Sequence, residues 1–141
     1  MRYLPWALLA LGAYSAVPPL MRAATSGTPR LPSTVAALVS NAILVAGSAV
    51  VVLYLGYDLG EYARHPKLPL VVAAGVFLTV GILAYYRALS LGPVSVVTPV
   101  FGLFLVVSSA VGVLVLEESL TARKVAGIAL AVVAVYLVTA E

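Results

Sequence analysis

The clearest group of side chains that could handle a solute forms a stripe along one apolar run of the chain. Its members are small or carry a hydroxyl, and positions i, i+3, i+7, i+14 and i+17 share one face of a helix: Ser95, Thr98, Gly102, Ser109 and Gly112. Leu105 interrupts the stripe. Such residues let helices approach closely, so the stripe indicates either a helix–helix seam or the wall of a polar pathway.

The other apolar runs contain a few isolated polar groups. Arg87 lies five residues before Gly92, about 7.5 Å from the predicted helix end, so it can reach the lipid headgroups or anchor an anionic, carboxylate-bearing solute. Tyr85 and Tyr86 are typical of the aromatic belt at a membrane interface, and their alternative role is ligand contact. Asn41 could tie two helices together or face a solute.

The first apolar run also has a polar face. Tyr14 stands beside this face, and the run contains the pair Pro18-Pro19, which predicts a kink or an early end of the helix. The face itself consists of four residues spaced at helical period: Gly12, Ser15, Pro19 and Arg22.

Composition makes this chain an integral membrane protein. Of its 141 residues, 63% are hydrophobic and only 9% are charged, whereas soluble domains carry about 25% charged residues. The net charge of +3 is too small, and the basic residues too dispersed, to indicate nucleic-acid binding. Cysteine is absent, and no carboxylate or histidine lies within an apolar run. We therefore predict no enzyme activity, no metal site and no cofactor, and no proton-binding acid within the membrane.

Five apolar runs predict an all-α protein with five transmembrane helices in a single domain, residues 1–141. A chain in hydrocarbon must satisfy its own backbone hydrogen bonds, so each run is expected to be a helix. The turn at residues 91–93 is so short that the spans it joins are expected to be antiparallel neighbours, with Pro93 at a first helical position. The expected spans are residues 3–21, 33–57, 68–91, 93–116 and 125–139.

Basic residues weakly favour an N-terminus in the cytoplasm. The N-terminal side of the membrane receives five of them: Arg2, Arg64, Lys67, Arg123 and Lys124. The opposite side receives three: Arg22, Arg30 and Arg87. So small a difference leaves room for a chain that inserts in both orientations.

Two segments carry a family resemblance. YYRALSLGPVSVVTPV and LVLEESLTARKVAGIALAVVAVYLV resemble the EamA-type domain of the drug/metabolite transporter superfamily. The shared pattern is an aromatic pair before Ala-Leu, a short turn, a proline in the next helix, glutamate at its exit and a glycine leading into the last helix. The resemblance is good from Phe77 to Leu137. Five spans look like one complete repeat, as in the short bacterial and archaeal members, whereas many relatives carry two repeats.

The resemblance implies solute transport by alternating access, with a cavity between repeats near the midplane. Carried onto this sequence, it makes eight residues candidates for the substrate-binding cavity, with Arg87 at its mouth: Tyr14, Ser15, Asn41, Tyr85, Tyr86, Arg87, Ser95 and Thr98.

The leading functional hypothesis is a carrier for a small metabolite, such as an amino-acid-like solute, in a prokaryotic cell (inner) membrane. It is an exporter or exchanger that works as a homodimer, with two antiparallel copies each supplying one repeat. A parallel dimer and a different partner chain are the alternatives for assembly. The alternative functions are a subunit of a lipid-linked sugar flippase and a non-transporting membrane scaffold or accessory subunit.

Overall fold

A computed structural model describes residues 3–115, 119 and 121–140, and every regular element in these parts of the chain is a helix. Five stretches are long and apolar enough to cross a membrane, which confirms the predicted all-α membrane fold with five spanning helices. The helices are α1 (Leu4–Ser15), α2 (Val17–Thr25), α3 (Ser33–Tyr54), α4 (Leu59–Tyr62), α5 (Leu68–Leu91), α6 (Val94–Gly102), α7 (Phe104–Val115) and α8 (Ala122–Thr139).

The first span is interrupted between α1 and α2 at Ala16. Pro18 and Pro19 follow two and three residues later, and neither has an N–H to donate to the carbonyl four residues earlier. The bond from the Ala16 N–H to the Ala13 carbonyl is long, at 3.4 Å. The interruption predicted from the proline pair is therefore present. The span continues to Thr25, four residues beyond the predicted end.

The fourth span is interrupted between α6 and α7 at Leu103, one turn beyond Pro99, which lies inside α6. Here the backbone hydrogen bonds join residues three apart instead of four. The Leu103 N–H donates to the Val100 carbonyl at 3.2 Å, and the Val106 N–H donates to the Leu103 carbonyl at 3.0 Å. Gly102 has low helix propensity and directly precedes the change. Pro93 has extended backbone and caps α6 rather than occupying its first turn.

The end of α3 is set by Gly56, which has a φ of +70°. The Gly56 N–H donates to the Leu53 carbonyl at 3.1 Å, and the Tyr57 N–H donates to the Val52 carbonyl at 3.3 Å. These two bonds form the Schellman arrangement that satisfies the last carbonyls of a helix. The helix consequently ends at Tyr54, three residues before the predicted boundary.

The start of α8 is set by Thr121, whose hydroxyl accepts a hydrogen bond from the Lys124 N–H at 3.3 Å. This cap places Arg123 and Lys124 inside the first helical turn, although the sequence predicts the helix to begin at Val125. With 18 residues, α8 rises about 27 Å, close to the thickness of the hydrocarbon core. The resemblance places glutamates at the end of the fourth span. These residues, Glu117 and Glu118, lie outside the described residues.

The chain divides into two compact units, and the first comprises Met1–Leu91. Within it, α2, α3 and α5 pack against one another. Its buried side chains are concentrated where α2 ends, α3 begins and α5 ends, whereas α1 is exposed along its length. Besides Pro18, the buried residues within the described part of this unit are Thr25, Ser33, Ala36, Ala37, Tyr85, Tyr86 and Leu89. We call these residues, together with the half-buried Arg22, the packed end of the first unit.

The second unit comprises Gly92–Glu141. In it, α6 and α7 each contact α8. Gly112 on α7 is buried, whereas the side chains of α8 are exposed or half-buried along its length. The two predictions that concern the chain as one body, a single domain and an antiparallel pairing of the third and fourth spans, stay predictions.

Candidate functional site

Arg22 joins two helices at the packed end of the first unit. Its guanidinium Nη1 donates a hydrogen bond to the carbonyl oxygen of Leu89 at 2.8 Å. Because α5 ends at Leu91, this carbonyl is one of the four at a helix C-terminus that have no partner within the helix. A cation is also favoured there by the helix dipole. Arg22 therefore fixes the end of α2 to the end of α5.

Two tyrosines lie on α5 one turn before this contact. Tyr85 and Tyr86 are only 8% and 5% exposed, and their ring centroids lie 6.1 Å apart with an angle of 41° between the planes. Leu89 is fully buried. The tyrosine side chains are thus enclosed by protein rather than spread over a membrane interface. A solute can reach them only when neighbouring helices separate.

Two hydroxyl groups at the end of α2 donate hydrogen bonds to carbonyls of their own helix. Thr25 is 2% exposed, and its Oγ1 donates to the Met21 carbonyl at 2.7 Å. Ser26 Oγ donates in the same way to the Arg22 carbonyl at 2.6 Å. These bonds stabilise the last turn of α2, where a helix has unpaired carbonyls. The side chain of Arg22, by contrast, reaches beyond its own helix to the Leu89 carbonyl.

The carboxylates of the first unit lie far from the packed end. The only carboxylates in residues 1–91 are Asp58 and Glu61. Both lie at the start of α4, in the connection between the far ends of α3 and α5. Because α5 has 24 residues, about 35 Å separates its two ends. No carboxylate of the first unit is therefore close enough to neutralise Arg22.

The first unit brings together only some of its predicted site residues. Tyr85 and Tyr86 lie at the packed end, and Arg87 follows them with an exposed side chain. Asn41 is half-buried, but its Nδ2 donates to the Ala37 carbonyl of its own helix at 2.8 Å, so this bond ties no second helix.

The candidates on α1 lie outside this group. Tyr14 is 71% exposed, and the exposed Ser15 donates its hydroxyl to the Leu11 carbonyl at 2.6 Å. Because every residue of α1 is exposed, the first unit by itself does not enclose either side chain. Their assignment to a cavity stays a prediction.

The second unit contains the remaining candidates and a cleft. Ser95 is exposed and Thr98 is half-buried. A cleft of about 340 Å³ lies between α7 and α8 and is mostly apolar. Ser109, from the stripe on the fourth span, lines the cleft, but its hydroxyl donates to the Leu105 carbonyl at 2.7 Å. The residues that line the cleft are Leu105, Val106, Ser109, Val113, Lys124, Gly127, Ile128 and Ala131.

Lys124 stands at one end of this cleft. Its Nζ donates to the Ser119 carbonyl at 2.8 Å, and its backbone is held in the first turn of α8 by the Thr121 cap. Among the described residues, no group of three His, Cys, Asp or Glu side chains could hold a metal ion. Within its own unit, the cleft offers an apolar wall with one cationic end.

Arg22 and Thr25 are polar residues of the packed end that do not belong to the site predicted from the sequence. Arg22 shares a helix face with Ser15 and Pro19, which is a visible signal. Its partner Leu89 is 67 positions away, and nothing in the residue pattern links the two. The contact therefore follows from the packing of α2 on α5 and not from any local motif.

Comparison with known proteins gives one family. The model of the EamA-like transporter family matches residues 1–140. No curated protein and no solved structure gives a significant match. The family match spans both units, so it covers the packed end and the cleft alike.

Proposed function

We propose that this chain, which belongs to the EamA-like transporter family, carries a small metabolite across the inner membrane of a prokaryotic cell. Amino-acid-like solutes are the first class to test. The carrier acts as an exporter or exchanger by alternating access. It needs no acid within the membrane, since none of its apolar runs contains one.

The observation that supports this proposal best is the pair of interrupted spans. Ala16 lies about 14 Å from the end of its span at Thr25, and Leu103 lies about 14 Å from the end of its span at Val94. In a hydrocarbon core about 30 Å thick, both interruptions fall near the middle. Transporters of several folds bind their solutes at such interruptions, where helix ends and unpaired carbonyls become available.

The exposed surface of the helices supports a dimer. At most 11% of the most apolar window of any span is buried. The polar groups of Ser15, Asn41 and Ser109 are bonded to their own helices, and each unit alone leaves them near open surface. A water-soluble cargo needs a route shielded from lipid, because exposed polar groups are costly in hydrocarbon. A second copy of the chain supplies the missing helices.

We further propose that the two copies are antiparallel, because the charge difference of five against three is too small to fix one orientation. A tag on the C-terminus should then be accessible from both sides of the membrane. Detection on one side only would exclude the antiparallel dimer. A strictly monomeric mass in lipid, together with retained transport, would contradict any dimer.

Transport itself is tested by counterflow in vesicles with labelled amino acids and other metabolites. We predict that Thr98→Leu abolishes uptake in protein that still assembles, because it replaces a half-buried hydroxyl next to Pro99. Val107→Leu on the exposed face of α7 is the matched control and should leave uptake unchanged. Equal uptake in wild type and Thr98→Leu would place the solute route elsewhere.

A lipid-linked sugar flippase subunit is the second candidate, and the cleft between α7 and α8 favours it. The cleft is mostly apolar and has Lys124 at one end, which suits a lipid tail with a phosphate head. Scrambling of polyprenyl-phosphate lipids without uptake of any water-soluble solute would select this function over the first.

A further inference from the structure

We infer that Arg22 binds the anionic group, a carboxylate or a phosphate, of the solute that this protein carries. The inference deepens the proposed transport function and rests on it. It concerns the packed end of the first unit, where α2 and α5 both end.

The guanidinium of Arg22 has hydrogen-bond donors to spare. An arginine carries five N–H donors in a planar fork, and one nitrogen, Nη1, is used for the Leu89 carbonyl. Among the described residues, this is the only hydrogen bond of the side chain. In the part of the chain that the structure describes, no buried side-chain nitrogen or oxygen lacks a partner, so the remaining donor nitrogens of Arg22 are not buried. They can meet two oxygens of one anion at once.

The contact with Leu89 also fixes the orientation of the guanidinium. A side chain that is already held loses less freedom when it binds a ligand, because its conformation is set beforehand. Arg22 is half-buried, whereas Arg30 and Arg87, the other arginines assigned to this side of the membrane, are exposed. Arg22 is therefore the arginine of this side that combines a fixed geometry with reduced contact to water.

The positive charge of Arg22 favours an anion as its ligand. The carboxylates of the first unit lie at the far ends of α3 and α5, so within this unit the charge of Arg22 faces a carbonyl dipole and no carboxylate. A half-buried charge is stabilised by an opposite charge and destabilised by a like one. The packed end is therefore suited to an organic acid or a phosphate ester and disfavours a cation.

The test uses purified protein in vesicles of neutral phosphatidylcholine and pairs of solutes that differ in charge. Glucose 6-phosphate is compared with glucose, and lactate with lactamide, as competitors and as counterflow substrates. We expect the wild type to bind the anionic member of a pair with an apparent affinity about tenfold or more above that for the neutral member. This is the range for hydrogen bonds to a charged group. A wild type that moves only neutral or cationic solutes overturns the inference but leaves transport standing. No transport of any solute overturns both.

Two variants of Arg22 separate anion binding from a purely structural contact. Arg22→Gln removes the charge and should abolish the preference for the anionic solute. Arg22→Lys keeps the charge and can still donate to the Leu89 carbonyl, but it lacks the fork, so we expect inhibition by inorganic phosphate to weaken by about tenfold. Should Arg22→Gln fail to fold, Arg22→Lys decides alone. Wild-type inhibition by phosphate in that variant overturns the inference.

Arg30→Gln is the matched control, since it removes the same charge from an exposed loop residue on the same side, and it should behave as the wild type. A phosphate could also come from a lipid headgroup. The measurements are therefore repeated with phosphatidylglycerol added to the vesicles. Suppose that Arg22→Gln changes only how transport responds to phosphatidylglycerol and leaves the preference for anionic solutes as in the wild type. That result would assign Arg22 to the membrane surface and overturn the solute assignment.

Discussion

Leu89→Ala tests whether the packed end holds the first unit together. Leu89 is fully buried, and its backbone carbonyl accepts the hydrogen bond from Arg22. The substitution leaves that carbonyl in place and removes only side-chain contacts. It therefore isolates the packing of α5 from the polar contact.

The expected loss is smaller than in a soluble protein. Leu→Ala in a soluble core costs about 2.7–5.0 kcal/mol, including the cavity that remains. About 2.4 kcal/mol of this is the transfer of three carbon groups out of water, at ~0.8 kcal/mol each. Lipid is as apolar as leucine, so this part is largely absent in a bilayer. We expect Leu89→Ala to lower the free energy of unfolding by about 1–2 kcal/mol, mainly from lost contacts.

The measurement is unfolding in mixed micelles by added sodium dodecyl sulfate, followed by circular dichroism. The control is Leu78→Ala on the same helix, where the side chain is 59% exposed. A substitution at such a position should change the free energy of unfolding by less than about 0.5 kcal/mol. Equal losses for the two variants, or none for Leu89→Ala, would refute the assignment of stability to the packed end.

Two further substitutions test local features of the second unit. Pro99→Ala restores an N–H that can donate to the Ser95 carbonyl, so we expect slower counterflow in protein that assembles normally; an unchanged rate would show that the unpaired carbonyl has no part in transport. Thr121→Ala removes the cap of α8 and should cost about 1 kcal/mol. Faster exchange of the Lys124 amide hydrogen would report this loss, and unchanged exchange would contradict the capping role.

The sequence predicts the number of spans because the requirement for them is simple. A helix that crosses hydrocarbon needs about 20 apolar residues, and each of the five runs is apolar enough to be recognised. The ends of the helices depend on single hydrogen bonds instead. Gly56 ends α3 and Thr121 begins α8 through local caps, and a hydropathy pattern does not weigh such contacts.

The candidate site was harder to predict, because its principal contact joins distant parts of the chain. The sequence shows Arg22 as part of a helix face and as a positive charge, but its bond to Leu89 depends on how α2 packs against α5. Asn41 shows the converse, since its side chain bonds its own helix at Ala37. Polar residues in a span identify groups that need a partner, whereas only the packing decides which partner they find.

The interruption of the first span at Ala16 separates a firmly packed segment from a loosely packed one. The segment after the break is seated against α3 and α5, but the segment before it, Leu4–Ser15, buries none of its side chains. The proline pair removes the backbone bonds that would stiffen the junction. We therefore expect the amino-terminal segment to pivot about Ala16 with little loss of packing energy, while the anchored segment keeps Arg22 in position.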